Sequence, residues 1–440
     1  MENTGNNELY NTLRQRHKEF VYNGYDIADD GFFFHFSIDD YNFYPSWKCE
    51  KGLLDNLTPF GEYIIFNIGM AELVSYWKCA CPPTVRINCG TLTPEQCEWW
   101  KKLYFGGLGE FFYKNKIDAD YDSFMTIIPQ NTAAPDFKSE KSHSGFLIPV
   151  GGGKDSVVTM ELLRQYHDDS LCYIINPRGA TLGCAHTAGF DDDKIVGVRR
   201  TIDSALLERN ADGYLNGHTP FSAVVAFSSY LFAYLKGKKY IALSNESSAN
   251  ETNVKGTAIN HQYSKSTAFE SDFRQYVSRW LDGGIEYFSM LRPWSEWQIA
   301  KKFVQYPQYF GVFQSCNLGS KTDTWCGKCA KCLYVYIILS AFLDDKTLSG
   351  IFGLNMLEHE ELSYMFDGLV YENVDKPFEC VGTKEEIRLA LYHAGKLRGE
   401  NLPILLKKYI EQNPEKPPEL DDYFDKNNFV PDELVGLLKI

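Results

Sequence analysis

The 440-residue sequence predicts an α/β protein in which a Rossmann-like parallel sheet is preceded by an N-terminal α+β domain and followed by a helical C-terminal appendage. Three observations lead there. In the middle of the chain, short continuous apolar runs alternate with helical patterns, as strands buried on both faces require. Before them, aromatic residues alternate with polar ones at a two-residue period. After them, charged and apolar residues mix at helical spacing. The expected domains are residues 1–144, 145–346 and 347–440. With 44% hydrophobic and 15% aromatic residues, the chain can bury a sizeable core.

The elements follow in order. The start, MENTGNNELYNTLRQRHKEF, has no apolar stretch of the kind a signal peptide needs, which sets cytoplasmic location as the expectation. GFFFHFSIDDYNFY, residues 31–44, reads as strands joined by a turn at Asp39 and Asp40. Residues 67–77 and 94–105 have helical spacing, the second opened by Thr93 before Pro94. Residues 130–145 are polar, without periodicity, and read as a linker.

Phe146 to Val150 is the first strand of the parallel set, and residues 157–166 its crossover helix. Strands are expected at 171–176, 194–202 and 240–244. A helix should start with Thr219 as N-cap and Pro220 in the first turn, with Phe221, Val224, Val225, Leu231, Phe232 and Leu235 on one face. Another should start at Ser295. The most apolar stretches, 224–235 and 333–343, are too short or interrupted to cross a bilayer, so no membrane partner is expected.

Charge narrows the function. Forty-four basic against 58 acidic residues give a net charge of −14, which disfavours wrapping nucleic acid or coating an anionic membrane. A small-molecule substrate is the better expectation. Twelve cysteines without a secretion signal read as thiols or metal ligands rather than disulfides.

The main chemical signal is Gly151-Gly152-Gly153-Lys154-Asp155-Ser156, between the strand FLIPV and a helix. Three glycines let backbone N–H groups close on an anion, and the positive end of the helix points at the same spot. Lys154 can neutralise phosphate charge, Asp155 can hold magnesium or cap the helix, and Ser156 can donate to a phosphate oxygen. The spacing fits neither GxxxxGK[ST] nor GxGxxG.

Cys316, Cys326, Cys329 and Cys332 form a second constellation: two CxxC spacings share Cys329, and Cys316 can return as fourth ligand to a closed structural Zn2+ site. Between the two lies SNESSANETNVKGTAINHQYSKSTAFESDFR, a polar segment leaving a strand end, where open α/β sheets keep their ligands. Its Asn245, Asn250 and Glu251 are candidate substrate contacts, and Glu246, His261 and Lys265 candidate catalytic groups. Arg292 is a further candidate, able to clamp a carboxylate or phosphate. The 347–440 region carries no motif with readable chemistry.

The glycine loop resembles the SGGxDS loop of the PP-loop ATP pyrophosphatases, with Gly151 in place of the family serine. That implies ATP and Mg2+, cleavage to AMP and pyrophosphate, and adenylation of a substrate oxygen. The cysteines resemble those of 7-cyano-7-deazaguanine synthase, another PP-loop enzyme. A longer set of motifs, PVGGGKDSVVTMELL, SNESSANE, NHQYSKS, LRPWSEWQIAKKF and SCN with WCGKCAKCLYVY, together with NIGMAELVSYWKCACPP and WWKKLYFGGLGEFFYKN, is similar to the MurL family over about residues 20–345.

That resemblance implies inversion of the terminal L-glutamate of UDP-MurNAc-L-Ala-L-Glu to D-glutamate through an adenylated carboxylate, in peptidoglycan precursor synthesis. A free α-carboxylate acidifies its α-hydrogen poorly, and the neutral mixed anhydride acidifies it well. The residues leave the base open among His261, Glu246, Lys265, Cys184 and His186. Two other readings stay open: a PP-loop enzyme adenylating a nucleobase or tRNA, and a non-catalytic nucleotide-binding protein. Pyrophosphate release on substrate addition separates the last from both enzymes.

Overall fold

The computed structural model describes residues 6–134, 137, 143–254, 256, 257 and 259–439. Residues 135, 136 and 138–142 of the expected linker lie outside the described residues. Contacts between Cα atoms divide the chain into two units, each made of three segments: 1–147, 196–241 and 258–287 in the first, and 148–195, 242–257 and 288–440 in the second.

The described residues contain eleven strands: β1 (Glu19–Ala28), β2 (Gly31–Ile38), β3 (Tyr41–Phe43), β4 (Ser46–Lys48), β5 (Thr84–Ile87), β6 (Thr126–Pro129), β7 (Ser144–Pro149), β8 (Ser170–Ile175), β9 (Ile195–Thr201), β10 (Lys238–Leu243) and β11 (Glu286–Ser289). The class is mixed α/β with a helical C-terminal region.

In the first unit, β1 and β2 pair antiparallel, with Ala28 opposite Gly31. The turn at Asp39 and Asp40 carries β2 into β3, as the sequence predicts, with Asp39 in the left-handed region at φ 48°. On β2 the period-two alternation buries Phe32, Phe34, Phe36 and Ile38. β5 and β6 extend β1 in parallel. β7 and β10 also pair in parallel, as the α/β reading requires. β9 departs from the parallel expectation along the edge it shares with β4, where the pairing is antiparallel.

Two helices of the first unit are buried almost all round, Pro59–Trp77 and Phe221–Leu235. They meet through Thr58 Oγ1 and Tyr234 OH at 3.0 Å and through the Phe60 and Tyr234 rings at 4.9 Å. The second helix corrects the sequence reading in two ways. It starts at Phe221, with Pro220 at the cap position and no side-chain cap, because the Phe221 N–H is taken by the Thr219 carbonyl at 2.7 Å. Its apolar surface is also not one face: Ala226, Phe227, Tyr230 and Tyr234 are buried beside Val224, Leu231 and Phe232, while Phe221 is 44% exposed. The helix Pro94–Gly107 has the expected start, with Thr93 and Gln96 completing a reciprocal cap.

The second unit holds β8 and the carboxyl ends of β7, β10 and β11, together with the loops that leave them. Val150 N–H donates to Tyr173 at 2.9 Å, and Met290 N–H to Leu243 at 2.8 Å, so strand pairing persists to those ends. Its helices include Lys154–Leu162, Gly179–Thr187, Glu296–Phe303, Ala330–Ser340 and the C-terminal set Asp345–Phe352, Ser363–Val370, Lys384–Arg398, Ile404–Gln412 and Asp432–Val435. Among the described residues no helix is long and apolar enough to cross a membrane.

Candidate functional site

The loop Gly151–Ser156 leaves the carboxyl end of β7 and enters the helix Lys154–Leu162, with Gly153 at the cap position. Gly152 is left-handed at φ 81°, and a Cβ there would stand 2.9 Å from Ala180 C and 3.0 Å from Thr181 N, so only glycine fits. A Cβ on Gly153 would meet Ser315 Oγ at 2.5 Å. Around Gly151 there is open space, so neither its surroundings nor its backbone demands glycine. Ser156 Oγ donates to the Gly153 carbonyl at 2.9 Å and so braces the loop.

Lys154 is buried, 1% exposed, and its ammonium pairs with both Asp155 and Glu296. Burial alone would lower the Lys154 pKa, but the two carboxylates outweigh it and hold the ammonium charged. Burial pushes the Glu296 carboxyl up, Lys154 pulls it down, and Asp155 and Glu246 push it up again, to about 8. Asp155, Glu246 and Glu296 each offer an oxygen within 4.8 Å of the others. Three carboxylates so close repel one another, and a hard divalent cation relieves that repulsion while bridging to phosphate oxygens. The donor set therefore fits magnesium, and the glycine loop fits the phosphates it would accompany.

Glu296 escaped the sequence reading although its segment was singled out. Ser295 and Gln298 form the reciprocal cap that places Glu296 in the first helical turn. Its N–H donates to Glu386 Oε1 at 2.7 Å, a second buried carboxylate raised by burial and supplied by the C-terminal region. The Tyr334 ring centroid lies 6.0 Å from Lys154 Nζ.

The other sequence candidates separate. Asn245 is buried and donates to Ser289 Oγ at 3.0 Å. Asn250 is exposed at the end of a short 3-10 turn. Glu251 pairs with the buried Lys376. Arg292 is wholly buried and donates to the Glu246 carbonyl, so it holds the turn that presents the Glu246 carboxylate. Cys184 lies under the loop, its Sγ donating to Gly152 O at 3.4 Å, and burial pushes the thiol up to about 12, which keeps it protonated at neutral pH. His186 is exposed and pairs with Asp192 at 2.9 Å.

The four cysteines come together as their spacing predicts, with all Sγ atoms within 4.8 Å of one another. Cys329 and Cys332 Sγ are 3.4 Å apart and Cys326 and Cys332 Sγ 3.7 Å, near the roughly 3.8 Å edge of a tetrahedral ZnS4 centre built on 2.3 Å bonds. Backbone N–H groups of Gly319 at 3.1 Å and Cys326 at 3.4 Å point at Cys316 Sγ, as thiolate ligands favour. The cluster fits zinc.

His261 and Lys265 belong to the first unit. There His261 Nδ1 bonds Glu110, whose other oxygen takes Lys114 Nζ at 2.5 Å, and His218 Nδ1 approaches the same carboxylate at 3.6 Å. The two imidazole rings are 4.3 Å apart. Burial would raise the Glu110 carboxyl, but the His261 bond and charge hold it down at about 2. Burial, reinforced by His261, lowers His218 to about 4. Glycines build this cluster: a Cβ on Gly106 would clash with Tyr263, on Gly107 with Pro220, and on Gly217 with Phe111, at 2.7, 2.5 and 2.9 Å. Lys265 is half-buried at the end of the next short 3-10 turn. Glu110 and His218 were missed by the sequence reading, and only the GGLGE glycines hinted at them.

Comparison with known proteins agrees with the motif resemblance. Residues 11–290 match the family model of the MurL N-terminal domain, and residues 312–422 that of the MurL C-terminal domain. A curated UDP-N-acetyl-alpha-D-muramoyl-L-alanyl-L-glutamate epimerase of Xanthomonas oryzae pv. oryzae (strain MAFF 311018) is 35% identical over 326 residues, covering 72% of this chain and 71% of that protein. Proteins of the same name from Salinispora tropica and a Micromonospora species are 31% and 32% identical, over 78% and 72% of this chain and 75% and 71% of theirs. No solved structure matches the chain. The chain belongs to the MurL family.

Proposed function

We propose, from that membership, that the chain is an isomerase of peptidoglycan precursor synthesis: it inverts the α-carbon of the terminal L-glutamate of UDP-MurNAc-L-Ala-L-Glu, using ATP and Mg2+ and releasing AMP and pyrophosphate. The observation that carries the substrate is the 31–35% identity to curated epimerases over most of the chain. The ATP part is supported by the glycine loop at the carboxyl end of β7, with Lys154 and three carboxylates converging on it. We infer also that residues 145–346 carry a PP-loop ATP pyrophosphatase fold between an N-terminal region 1–144 and a helical region 347–440, that the cysteines hold zinc, and that the protein is cytoplasmic.

ATP, once bound, would supply the adenylyl group with loss of pyrophosphate, so that the α-carboxylate becomes an acyl anhydride whose carbonyl, no longer an anion, can accept the electron pair of the breaking C–H bond. After reprotonation from the other face, water cleaves the anhydride and AMP leaves. The loop N–H groups and Lys154 bind phosphate oxygens. Asp155, Glu246 and Glu296 hold the metal. Arg292 keeps Glu246 in place through its backbone. In the first unit, His261 keeps the chemistry of a proton carrier, because the buried Glu110 carboxylate orients its ring.

The test is a reaction with UDP-MurNAc-L-Ala-L-Glu, ATP and magnesium in deuterium oxide. The expected product is the D-glutamate epimer bearing deuterium on its α-carbon, with AMP and pyrophosphate. Product formed without ATP would refute the activated-carboxylate mechanism. AMP formed without inversion would point to a ligase-like or modifying enzyme.

A further inference from the structure

Glu296 is the first residue of its helix, where a backbone N–H has no acceptor within the helix. The reciprocal cap of Ser295 and Gln298 takes the N–H groups of those two residues and leaves that of Glu296 open. Glu386 closes it. Its Oε1 accepts from the Glu296 N–H at 2.7 Å, while its Oε2 accepts from the Thr383 N–H at 2.6 Å and so completes the cap of the helix Lys384–Arg398. One buried carboxylate therefore joins the first turns of two helices. The turn is built around it: a Cβ on Gly382 would stand 2.6 Å from Glu386 Oε2.

Capping alone does not call for this arrangement. In the caps of Thr93 with Gln96 and of Ser295 with Gln298, a single carbonyl oxygen takes the cap N–H. A second acceptor oxygen is surplus to the Thr383 cap, and it goes to Glu296. The rest of the C-terminal region grips the same helix. Trp297 Nε1 donates to Asp421 at 3.1 Å and Lys301 pairs with it at 2.7 Å, Gln298 Nε2 donates to the Tyr423 carbonyl at 2.9 Å, and Trp294 Nε1 to that of Leu438 at 3.1 Å. Glu296 thus has its backbone fixed by Glu386 and its carboxylate drawn to Lys154, within reach of Asp155 and Glu246. Magnesium holds its oxygens at about 2.1 Å in near-ideal geometry, so a drift of the Glu296 backbone is read there as lost affinity.

We propose that Glu386 is a positioning residue of the metal centre: its carboxylate fixes the Glu296 backbone and with it the place of the Glu296 carboxylate among those of Asp155 and Glu246. The inference rests on the metal reading above. It makes the C-terminal region a working part of the site.

Glu386→Gln tests it, because a glutamine in such a cap gives its oxygen to the cap N–H and turns its own Nε2 donor against the Glu296 N–H. Thr383→Ala is the control: it weakens the cap and leaves both Glu386 oxygens in place. With Mn2+ as the probe of the magnesium site, binding to the full chain is measured by calorimetry with and without ATP, beside the melting temperature and the Mg2+ dependence of pyrophosphate release. Glu386→Gln should bind Mn2+ more weakly by roughly 10- to 100-fold, the usual loss when a group supporting a metal ligand is changed. The Mg2+ concentration for half-maximal rate rises by a similar factor, and the KM for the UDP-muropeptide stays unchanged. Thr383→Ala should lower the melting temperature and keep the wild-type Mn2+ affinity. Wild-type Mn2+ affinity in Glu386→Gln, or an equal loss in both variants, would overturn the inference and leave Glu386 a capping residue. A wild-type chain that takes up no Mn2+ in either condition would overturn the metal reading itself and this inference with it, a result the same titration separates.

Discussion

Each unit gathers a buried titratable cluster, and the two have opposite charge character. At the strand ends of the second unit, three carboxylates lie together and two of them pair with one ammonium, beside the glycine loop. In the first unit, one carboxylate lies among two imidazoles and Lys114, with the buried Lys78 donating to the Gly217 carbonyl next to His218. Their titration differs accordingly. Like-charge crowding and burial raise Glu296 to about 8, whereas a cationic neighbourhood holds Glu110 at about 2. An excess of carboxylates seeks a cation, and with it phosphate. An excess of basic groups keeps its carboxylate ionised at every working pH and can orient an imidazole.

The comparison breaks first at Asp155. If the second cluster handles ATP, Asp155→Asn should lower the rate of pyrophosphate release by roughly 10²- to 10³-fold while the fold survives, which a coupled pyrophosphate assay and circular dichroism would check. A variant that forms AMP at the wild-type rate would sink the assignment. The next largest effect concerns stability. Cys329→Ser should remove zinc, measured by elemental analysis, and lower the melting temperature by roughly 3–5 °C, about 3–5 kcal/mol for a chain of 440 residues. A chain that contains no zinc, or keeps its melting temperature, contradicts a structural metal.

The first unit sharpens the contrast through pH. His218 has its pKa depressed below the unfolded value, so the folded state binds fewer protons than the unfolded one. Stability is therefore full above about pH 6.5 and falls as pH drops toward 4, by up to roughly 3 kcal/mol. His218→Asn should flatten that slope in urea unfolding at stepped pH, and an unchanged slope would show that the imidazole is not the titrating group. The smallest effects separate two neighbouring glycines. Gly152→Ala should cost about 1–3 kcal/mol and weaken ATP binding, because its φ is left-handed and the Ala180 backbone occupies the space. Gly151→Ser should be neutral within about 0.5 kcal/mol, since nothing lies within 4 Å of the added Cβ.

What could be read from the chain follows from how local each signal is. The β2 alternation, the turn at Asp39, the cap at Thr93 and the strand FLIPV each lie within a dozen residues, and the structure has them where the pattern puts them. The glycine loop and the cysteine cluster were legible for the same reason, their partners being adjacent or spaced by the ligand geometry itself. The helix start at Pro220 was misread because a carbonyl two residues back competes for the first N–H, a matter of loop conformation rather than residue type.

The sequence by itself determined the α/β class, the glycine loop Gly151–Ser156 between a strand and a helix, and the four-cysteine set, because short-range spacing fixes those backbone and side-chain geometries. Only the tertiary structure decided which distant side chains complete them: Glu296, 142 residues from Lys154, Arg292 turned inward to hold Glu246, and Glu110 under His218 and His261. The physical reason is that a buried charge or donor is tolerated only beside its complement. Which residue becomes that complement depends on how strands and helices bring remote segments to one point, and no local pattern encodes that.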